Sequence, residues 1–532
     1  MTTQGAVASR TRTNLHDLLA LAASGTPDAR ALTYKSAAVT YGELWRIVRS
    51  AAAQLSALET RRGDRVAIWL EKRIETVAAI FATSLAGGVI VPINPVLKPA
   101  QVEHILRDCG ARLLVTSADR LGQLTQVLGA SAVSVVVVVD AVGDGAGDGA
   151  EHAGCAVHAW DGDGDRAPVA SGAIDIDPAA ILYTSGSTGK PKGVVLSHRN
   201  LIVGAESVSA YLENTAADVI LSALPLSFDA GLSQVTTAFS VGAHVILMNY
   251  LLPREVPRLC ELHGVTGLTG VPPLWVQLAD LDWPQGAAHR LRYWANTGGR
   301  MPRPVLDRLR GIFVDAKPFL MYGLTEAFRS TYLDPAEIGR RPDSIGKAIP
   351  NAEILVLRPD GTRCAPGEEG ELVHRGALVG MGYWNDPDRT AERYRPVHHP
   401  GQEWRTPELA VWSGDTVVAD DEGFLYFVGR RDDMIKTSGY RVSPTEIEEA
   451  AFATGLVRDA VAVGVDDASL GQRVVLVAAP TRRELDSDEL LRAMRKLLPL
   501  YMLPSQIVAR DDLPRSPNGK YDRKLIRAEV TR

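Results

Sequence analysis

Ile181-Leu-Tyr-Thr-Ser-Gly-Ser-Thr-Gly-Lys190-Pro-Lys-Gly-Val-Val-Leu-Ser-His198 decides how this chain is read. Ala179 to Tyr183 is apolar and β-capable, so the stretch begins as a strand. It then breaks into six small or hydroxylated residues, Thr184 to Gly189. Gly186 and Gly189 allow a tight turn and close approach to a ligand. Successive backbone N–H groups in such a loop form an anion-binding nest. Ser185, Ser187 and Thr188 add hydroxyl donors, and Lys190 and Lys192 add positive charge. A polyphosphate is the ligand this chemistry suits. The loop is not a Walker A motif, because Pro191 follows Lys190 where that motif needs Ser or Thr. A flexible Gly/Ser linker is the plain alternative, but linkers rarely carry ordered flanks and two lysines.

Working outward, strand-like and helix-like segments alternate on both sides of the loop. Arg65 to Leu70, Gly88 to Asn94 and Arg112 to Thr116 read as strands, with helices over Ile74 to Ala86 and Pro99 to Cys109 between them. Asn14 reads as the N-cap of an opening helix over residues 14–24. Beyond the loop, Ser197 to Leu201 begins a helix, and Val219 to Leu224, Val245 to Met248, Val265 to Thr269 and Pro318 to Tyr322 continue the strands. Such alternation predicts a mostly parallel sheet with helices on both faces. Residues 141–173, rich in Gly, Asp and Ala, read as a solvated loop. From 343 to 428 short β-like pieces lie between Gly and Pro turns, which predicts a small β-rich subdomain. After Arg430 an α+β tail of about 100 residues follows, an ordinary domain size.

Composition narrows the class. The chain has 532 residues, 46% hydrophobic and 23% charged, too long for one ordinary domain and able to bury a large core. A formal charge of −6 argues against nucleic acid as a partner. Cys109, Cys155, Cys260 and Cys364 form no Cys-x-x-Cys pair, and the histidines show no zinc spacing, which suggests a reduced, cytoplasmic protein. No run reaches the roughly 18 apolar residues of a membrane span. The short run Leu18 to Ala23 follows Asn14, His16 and Asp17, which does not suit a signal peptide.

Further chemistry-bearing stretches follow the loop in order. Met321-Tyr-Gly-Leu-Thr-Glu326 ends a strand, where open α/β sheets bind ligands. Tyr322 offers a ring for stacking a base, Thr325 a hydroxyl and Glu326 a hard oxygen ligand for Mg2+. Trp412-Ser-Gly-Asp415, Gly429-Arg-Arg-Asp432, Thr437-Ser-Gly439 and Asn518-Gly-Lys520 come later, the last placing a lysine at a loop tip.

Taken together and in order, these stretches resemble the signatures of the adenylate-forming superfamily: acyl-CoA synthetases, adenylation domains of nonribosomal peptide synthetases, and luciferases. The resemblance covers essentially the whole chain. It implies an α/β fold with a large N-terminal domain, 1–431, of layered αβα subdomains plus a small β-rich subdomain, followed by a small mobile α+β domain, 432–532. It also implies an AMP-forming ligase that uses ATP and Mg2+. ATP would be held by Thr184, Ser185, Gly186, Ser187, Thr188, Gly189, Lys190, Gly298, Gly299, Tyr322, Gly323, Thr325, Asp415 and Arg430. Asp415 would accept the ribose hydroxyls and Glu326 would carry the metal. Lys520 would bridge the substrate carboxylate and the α-phosphate, so Lys520, Thr184 and Glu326 are the catalytic candidates. Asp432 falls at the superfamily's hinge and Gly439 in its thiol channel.

The substrate pocket by resemblance holds Phe228, Asp229, Thr297, Gly298, Met321 and Arg329. Phe228-Asp229 resembles the Phe-Asp pair of amino-acid-activating domains, where the aspartate meets the substrate ammonium. A buried aspartate without a cation is costly, so Arg329 is the alternative partner, leaving a substrate without an amine. Residues 181–204, 221–254 and 319–346 also resemble exosortase-associated acyl-CoA ligase-like proteins and stand-alone enzymes that load amino acids onto carriers. The partners implied are a small carboxylic acid and either a separate acyl or peptidyl carrier protein or CoA, since 532 residues leave no room for a carrier or condensation domain. An inactive binding or scaffold protein of this fold is the reading from another class, opposed by intact Lys520, Glu326, Asp415 and phosphate loop.

Overall fold

A computed structural model describes residues 11–97, 99–140, 150–162, 164, 171–184, 191–397, 401, 404–430, 435–437, 440–442, 444–467, 470–481, 484–498, 500–517 and 519–531. The chain divides into two compact units. The first comprises Met1–Asn249, Thr325–Phe328 and Ala377–Thr390; the second comprises Tyr250–Leu324, Arg329–Gly376 and Ala391–Arg532.

In the first unit the central strands are short and apolar on both faces. Val89–Pro92, Arg65–Trp69, Leu113–Thr116, Val135–Val138 and Cys155–Ala159 run parallel in that order. Parallel strands covered by helices on both faces need such continuous apolar runs. The helix Ile74–Leu85 is buried along nearly its whole length for the same reason. Pro178–Thr184 joins this sheet beside Val89–Pro92 and pairs antiparallel with Lys192–Ser197. A second group in the unit sets Arg30–Tyr34 and Val219–Ser222 parallel on either side of His244–Leu247. The carboxyl ends of these three strands therefore point the same way.

In the second unit Gly267–Gly270, Tyr293–Asn296 and Lys317–Tyr322 run parallel. The expected β-rich stretch follows as an antiparallel succession: Ser344–Ala348, Leu425–Arg430, Glu408–Ala419, Glu369–Gly376 and Ala352–Leu357. In the tail, Val457–Asp467 pairs antiparallel with Gly471–Pro480. Alternate residues of these strands point to opposite faces. Ala460, Ala462, Val474 and Leu476 pack under Ile447, Leu490 and Met494, while Val461, Val463, Val475 and Val477 pack under Leu513 and Ile526.

Two local expectations fail. The opening helix runs Asp17–Gly25 with His16, not Asn14, at its N-cap position. The Asp17 carboxylate instead accepts the backbone N–H groups of Thr13 and Asn14, each at 2.8 Å. Within the region read as a solvated loop, Ala150–His152 and Cys155–Ala159 form strands. Cys155 and Val157 are buried against the parallel sheet, two apolar anchors at period two, and Ala150–His152 pairs on the outer side of this strand. Among the described residues no helix is long and apolar enough to cross a membrane.

Candidate functional site

The expected site residues fall into two sets, one on each unit. On the first unit, the hairpin Pro178–Thr184 and Lys192–Ser197 places Thr184 directly opposite Lys192. Ser185, Gly186, Ser187, Thr188, Gly189 and Lys190 lie outside the described residues. The Thr184 hydroxyl oxygen is buried and takes no hydrogen bond among the described residues. Across the strand, Lys192 Nζ donates to Glu326 Oε1 at 3.0 Å and to Tyr383 Oη at 2.7 Å. Tyr383 Oη donates in turn to Glu326 Oε1 at 2.5 Å, and the ammonium stands 4.0 Å from the centroid of that tyrosine ring.

Local sequence explains how these three side chains meet. Glu326 lies in the single turn Thr325–Ala327, and its carbonyl accepts the Gly380 N–H at 2.8 Å. A Cβ at Gly380 would stand 3.0 Å from the carbonyl oxygens of both Glu326 and Val195, so the close approach suits glycine. Tyr383 then pairs with Val194 on the hairpin. Ser197 caps the helix His198–Tyr211 with Asn200 in a reciprocal box, and the Asn200 amide holds the carbonyls of Ala377 and Val379. Glu326 is only 8% exposed. A carboxylate at that depth needs a cation and hydrogen bonds to offset lost hydration, and Lys192 with Tyr383 supplies both. Sequence reading credited Lys192 only with charge and missed Tyr383; the aromatic inside Gly380-Met-Gly-Tyr-Trp384 was the available signal.

Among the described residues no three of His, Cys, Asp or Glu stand together as a metal cage. Mg2+ in phosphate chemistry rests instead on one or two carboxylates plus substrate phosphates. The Glu326 carboxylate and the orphan Thr184 hydroxyl are hard oxygen donors of that kind, so the residues fit the ion.

Also on the first unit, Phe228 and Asp229 sit at the start of the helix Asp229–Val241, just past the strand Val219–Ser222. Gly231 packs so tightly that a Cβ there would meet the Pro225 carbonyl oxygen at 1.9 Å. The sequence argument treats Asp229 as buried; the structure leaves both it and Phe228 half-buried.

On the second unit, Tyr293–Asn296 ends in Thr297, Gly298 and Gly299. Gly298 has φ +76°, and the Asn296 amide holds the Gly299 carbonyl at 2.8 Å. Thr297 and Met321 are buried. Lys520 comes to this glycine turn: a Cβ on Gly298 would lie 3.8 Å from Lys520 Cε. The Lys520 carbonyl accepts the Ser516 N–H at 2.7 Å and its hydroxyl at 3.0 Å, closing a turn through Gly519 at φ +78°. Asp459, 3% exposed, braces that turn from below. Its Oδ1 accepts Arg515 Nη2 at 2.8 Å and Tyr521 Oη at 2.6 Å. Sequence reading missed Asp459, which stands beside Arg458 just before the apolar run Ala460 to Val463.

The same unit joins Tyr322 to Asp415: the phenol donates to Asp415 Oδ2 at 2.5 Å. Asp415 is 2% exposed, and its N–H is held by Ser413 Oγ, which itself donates to the Leu372 carbonyl at 2.6 Å. Arg430 pairs with Asp415 across the strands, although its side chain lies outside the described set. Phe427 stands beside Tyr322, ring centroids 6.3 Å apart. Gly323 follows Tyr322, and Thr325, on the first unit, opens the turn that carries Glu326. Arg329 is 3% exposed. It belongs to the second unit and Asp229 to the first. Asp432, Gly439 and Asn518 lie outside the described residues.

Residues 19–384 match the family model described as AMP-binding enzyme, and residues 446–520 match that of the AMP-binding enzyme C-terminal domain. The chain is 34% identical to an L-proline–[L-prolyl-carrier protein] ligase of Streptomyces coelicolor, over 92% of this chain and 91% of that protein. It is 30% identical to a long-chain-fatty-acid–CoA ligase of Salmonella typhimurium, over 97% and 94%. It also superposes with a TM-score of 0.80 on the o-succinylbenzoate CoA synthetase of Bacillus subtilis solved with its acyl-adenylate, at 27% identity over 96% of this chain and 97% of that one.

Proposed function

This chain belongs to the AMP-binding enzyme family of adenylate-forming ligases, and from that premise we propose that it activates an amino acid, α or β, and passes it to the phosphopantetheine thiol of a separate carrier protein. The observation that carries the amino-acid reading is the place of Asp229. It stands half-buried at the start of the helix Asp229–Val241, beyond the carboxyl end of a parallel strand, where the chain is fixed by the Gly231 contact. An ammonium leaving water needs such an opposite charge. The stand-alone prolyl-carrier ligase, matched over nearly its whole length, supports the same reading.

In the reaction, a substrate carboxylate oxygen bonds to the α-phosphorus of ATP while the bond to pyrophosphate breaks. The thiolate then attacks the acyl carbon of the mixed anhydride and AMP leaves. The first step joins two anions, so its catalysis is charge neutralisation and positioning. Lys192 follows the expected phosphate loop by two residues in sequence and holds the Glu326 carboxylate in place. Glu326, with the Thr184 hydroxyl, would hold Mg2+, which neutralises phosphate charge when bound. Asp415, oriented by Tyr322, accepts the ribose hydroxyls. Lys520, on its braced turn, meets the carboxylate and α-phosphate. We take 432–532 as the small domain that carries Lys520 in and out, with Asp432 as its pivot and Gly439 lining the thiol path.

A second reading, an acyl-CoA ligase for an acid without an amine, draws on the fatty-acid ligase and on buried Arg329. Pyrophosphate exchange with a panel of fatty, aryl, α-amino and β-amino acids separates the two. An amino acid should outcompete its deamino analogue, and Asp229→Ala should erase the preference. Preference for a plain fatty or aryl acid by the wild type would favour the second reading. Thioester formation with a pantetheinylated carrier, compared with CoA, tests the acceptor.

A further inference from the structure

Lys72 is a lysine in the interior of the first unit, 5% exposed. Its ammonium donates to the Ser222 carbonyl at 2.8 Å and to the Leu224 carbonyl at 2.9 Å. Its backbone is clamped as well: its N–H donates to Asn249 Oδ1 at 2.9 Å, and Asn249 Nδ2 donates to its carbonyl at 2.8 Å. The same Asn249 Nδ2 reaches Tyr34 Oη at 3.2 Å. Tyr34, Ser222 and Asn249 lie at the carboxyl ends of the parallel strands Arg30–Tyr34, Val219–Ser222 and His244–Leu247, or just beyond. Ligands of open α/β sheets bind at that end.

Among the described residues the ammonium meets no carboxylate, and burial alone holds it down at about 7. A methionine of similar length would avoid that cost to folding. What the lysine secures is the start of the segment Ala223 to Phe228. Gln234 grips the same segment from the following helix: its Oε1 accepts the Leu224 N–H at 3.2 Å, and its Nε2 donates to the Leu221 carbonyl at 2.9 Å. The Pro225 carbonyl accepts the Phe228 N–H at 3.3 Å. The segment is thus held at Ser222 and Leu224 by Lys72, at Leu221 and Leu224 by Gln234, and at Pro225 by the close approach of Gly231. It ends on Phe228 and Asp229.

We infer that Lys72 is the positioning residue of the acid pocket: by fixing the carbonyls of Ser222 and Leu224 it sets where Phe228 and Asp229 stand. This rests on the reading of Phe228 and Asp229 as pocket residues. Lys72 itself touches neither substrate nor the reacting atoms; it acts through the loop.

The test measures KM for the best acid and for ATP separately, by pyrophosphate exchange, in wild type, Lys72→Met and Asp229→Ala. Loss of two hydrogen bonds from a charged donor should raise the acid KM of Lys72→Met about tenfold or more, with the KM for ATP unchanged. A purely structural lysine would instead lower the yield of active enzyme and leave both KM values alone, and that result overturns the inference. Should Lys72→Met not fold, Lys72→Gln, whose amide nitrogen stops one bond short of the two carbonyls that Lys72 reaches, must show the same selective rise in acid KM; its absence is equally fatal. If Asp229→Ala leaves the acid KM unaltered, the pocket reading itself falls and takes the inference with it. If Asp229→Ala raises it and the Lys72 variants do not, only the inference falls.

Discussion

The phenol of Tyr322 donates to the carboxylate of Asp415 at 2.5 Å, joining a residue at the end of one strand to an acid in the middle of another. The acid is oriented before any nucleotide arrives. Tyr322→Phe keeps the ring for stacking and removes only this bond. A hydrogen bond to a charged group contributes about 1.5–3 kcal/mol. The KM for ATP should therefore rise about tenfold while kcat and the acid KM hold; a rise in the acid KM instead would contradict the ribose role of Asp415.

Lys192 and Glu326 form a largely buried pair, 16% and 11% exposed at the side chain. Removing one partner of a buried pair costs roughly 3–5 kcal/mol. Lys192→Met should lower the unfolding free energy by an amount of that order, and adding Glu326→Gln should recover most of it in a double-mutant cycle. Glu326→Gln alone should shift the Mg2+ dependence of pyrophosphate exchange to higher concentration. An unchanged Mg2+ curve would remove Glu326 from the metal.

Lys520 should serve adenylation alone. Lys520→Ala is expected to lose pyrophosphate exchange by several orders of magnitude yet still form thioester from supplied acyl-adenylate. Asp459→Ala, which loosens the turn without touching substrate, should show a weaker form of the same split. Equal loss of both half-reactions in Lys520→Ala would refute the division of labour.

His374 is fully buried, with Ser330 Oγ at 2.9 Å from its Nδ1, and burial holds it down at about 3. The unfolded chain takes up this proton below the ordinary histidine value of about 6.5, the native state only near 3. Its contribution to stability is therefore present above pH 6.5 and declines as pH falls from there toward 3. His374→Gln should flatten that part of the stability profile in denaturant titrations. A profile identical to wild type would show that other groups dominate.

The alternation of strand and helix was legible because each element carries its own periodicity. What stayed hidden was long-range pairing. Nothing local in Lys192 announces Glu326 and Tyr383, which arrive from 134 and 191 residues away. The half-buried state of Asp229 was also out of reach, because burial depends on what packs above a helix start. The strand Cys155–Ala159 was missed because its polar neighbours drowned two apolar anchors. Asp459 was not read, because its partners Arg515 and Tyr521 arrive from 56 and 62 residues away.

The turn that carries Lys520 is braced by Asp459, Arg515, Ser516 and Tyr521, all within the last stretch of the chain. Such a piece behaves as a cassette. Transplanted onto a relative, residues from Pro444 onward would bring the lysine with its turn, and the contacts to match would be the junction, the Arg300–Glu449 pair and the glycine turn at Gly298. On the proposed roles, recombination between relatives would exchange acid pocket and lysine separately, so that a new substrate would not require a new activating tip.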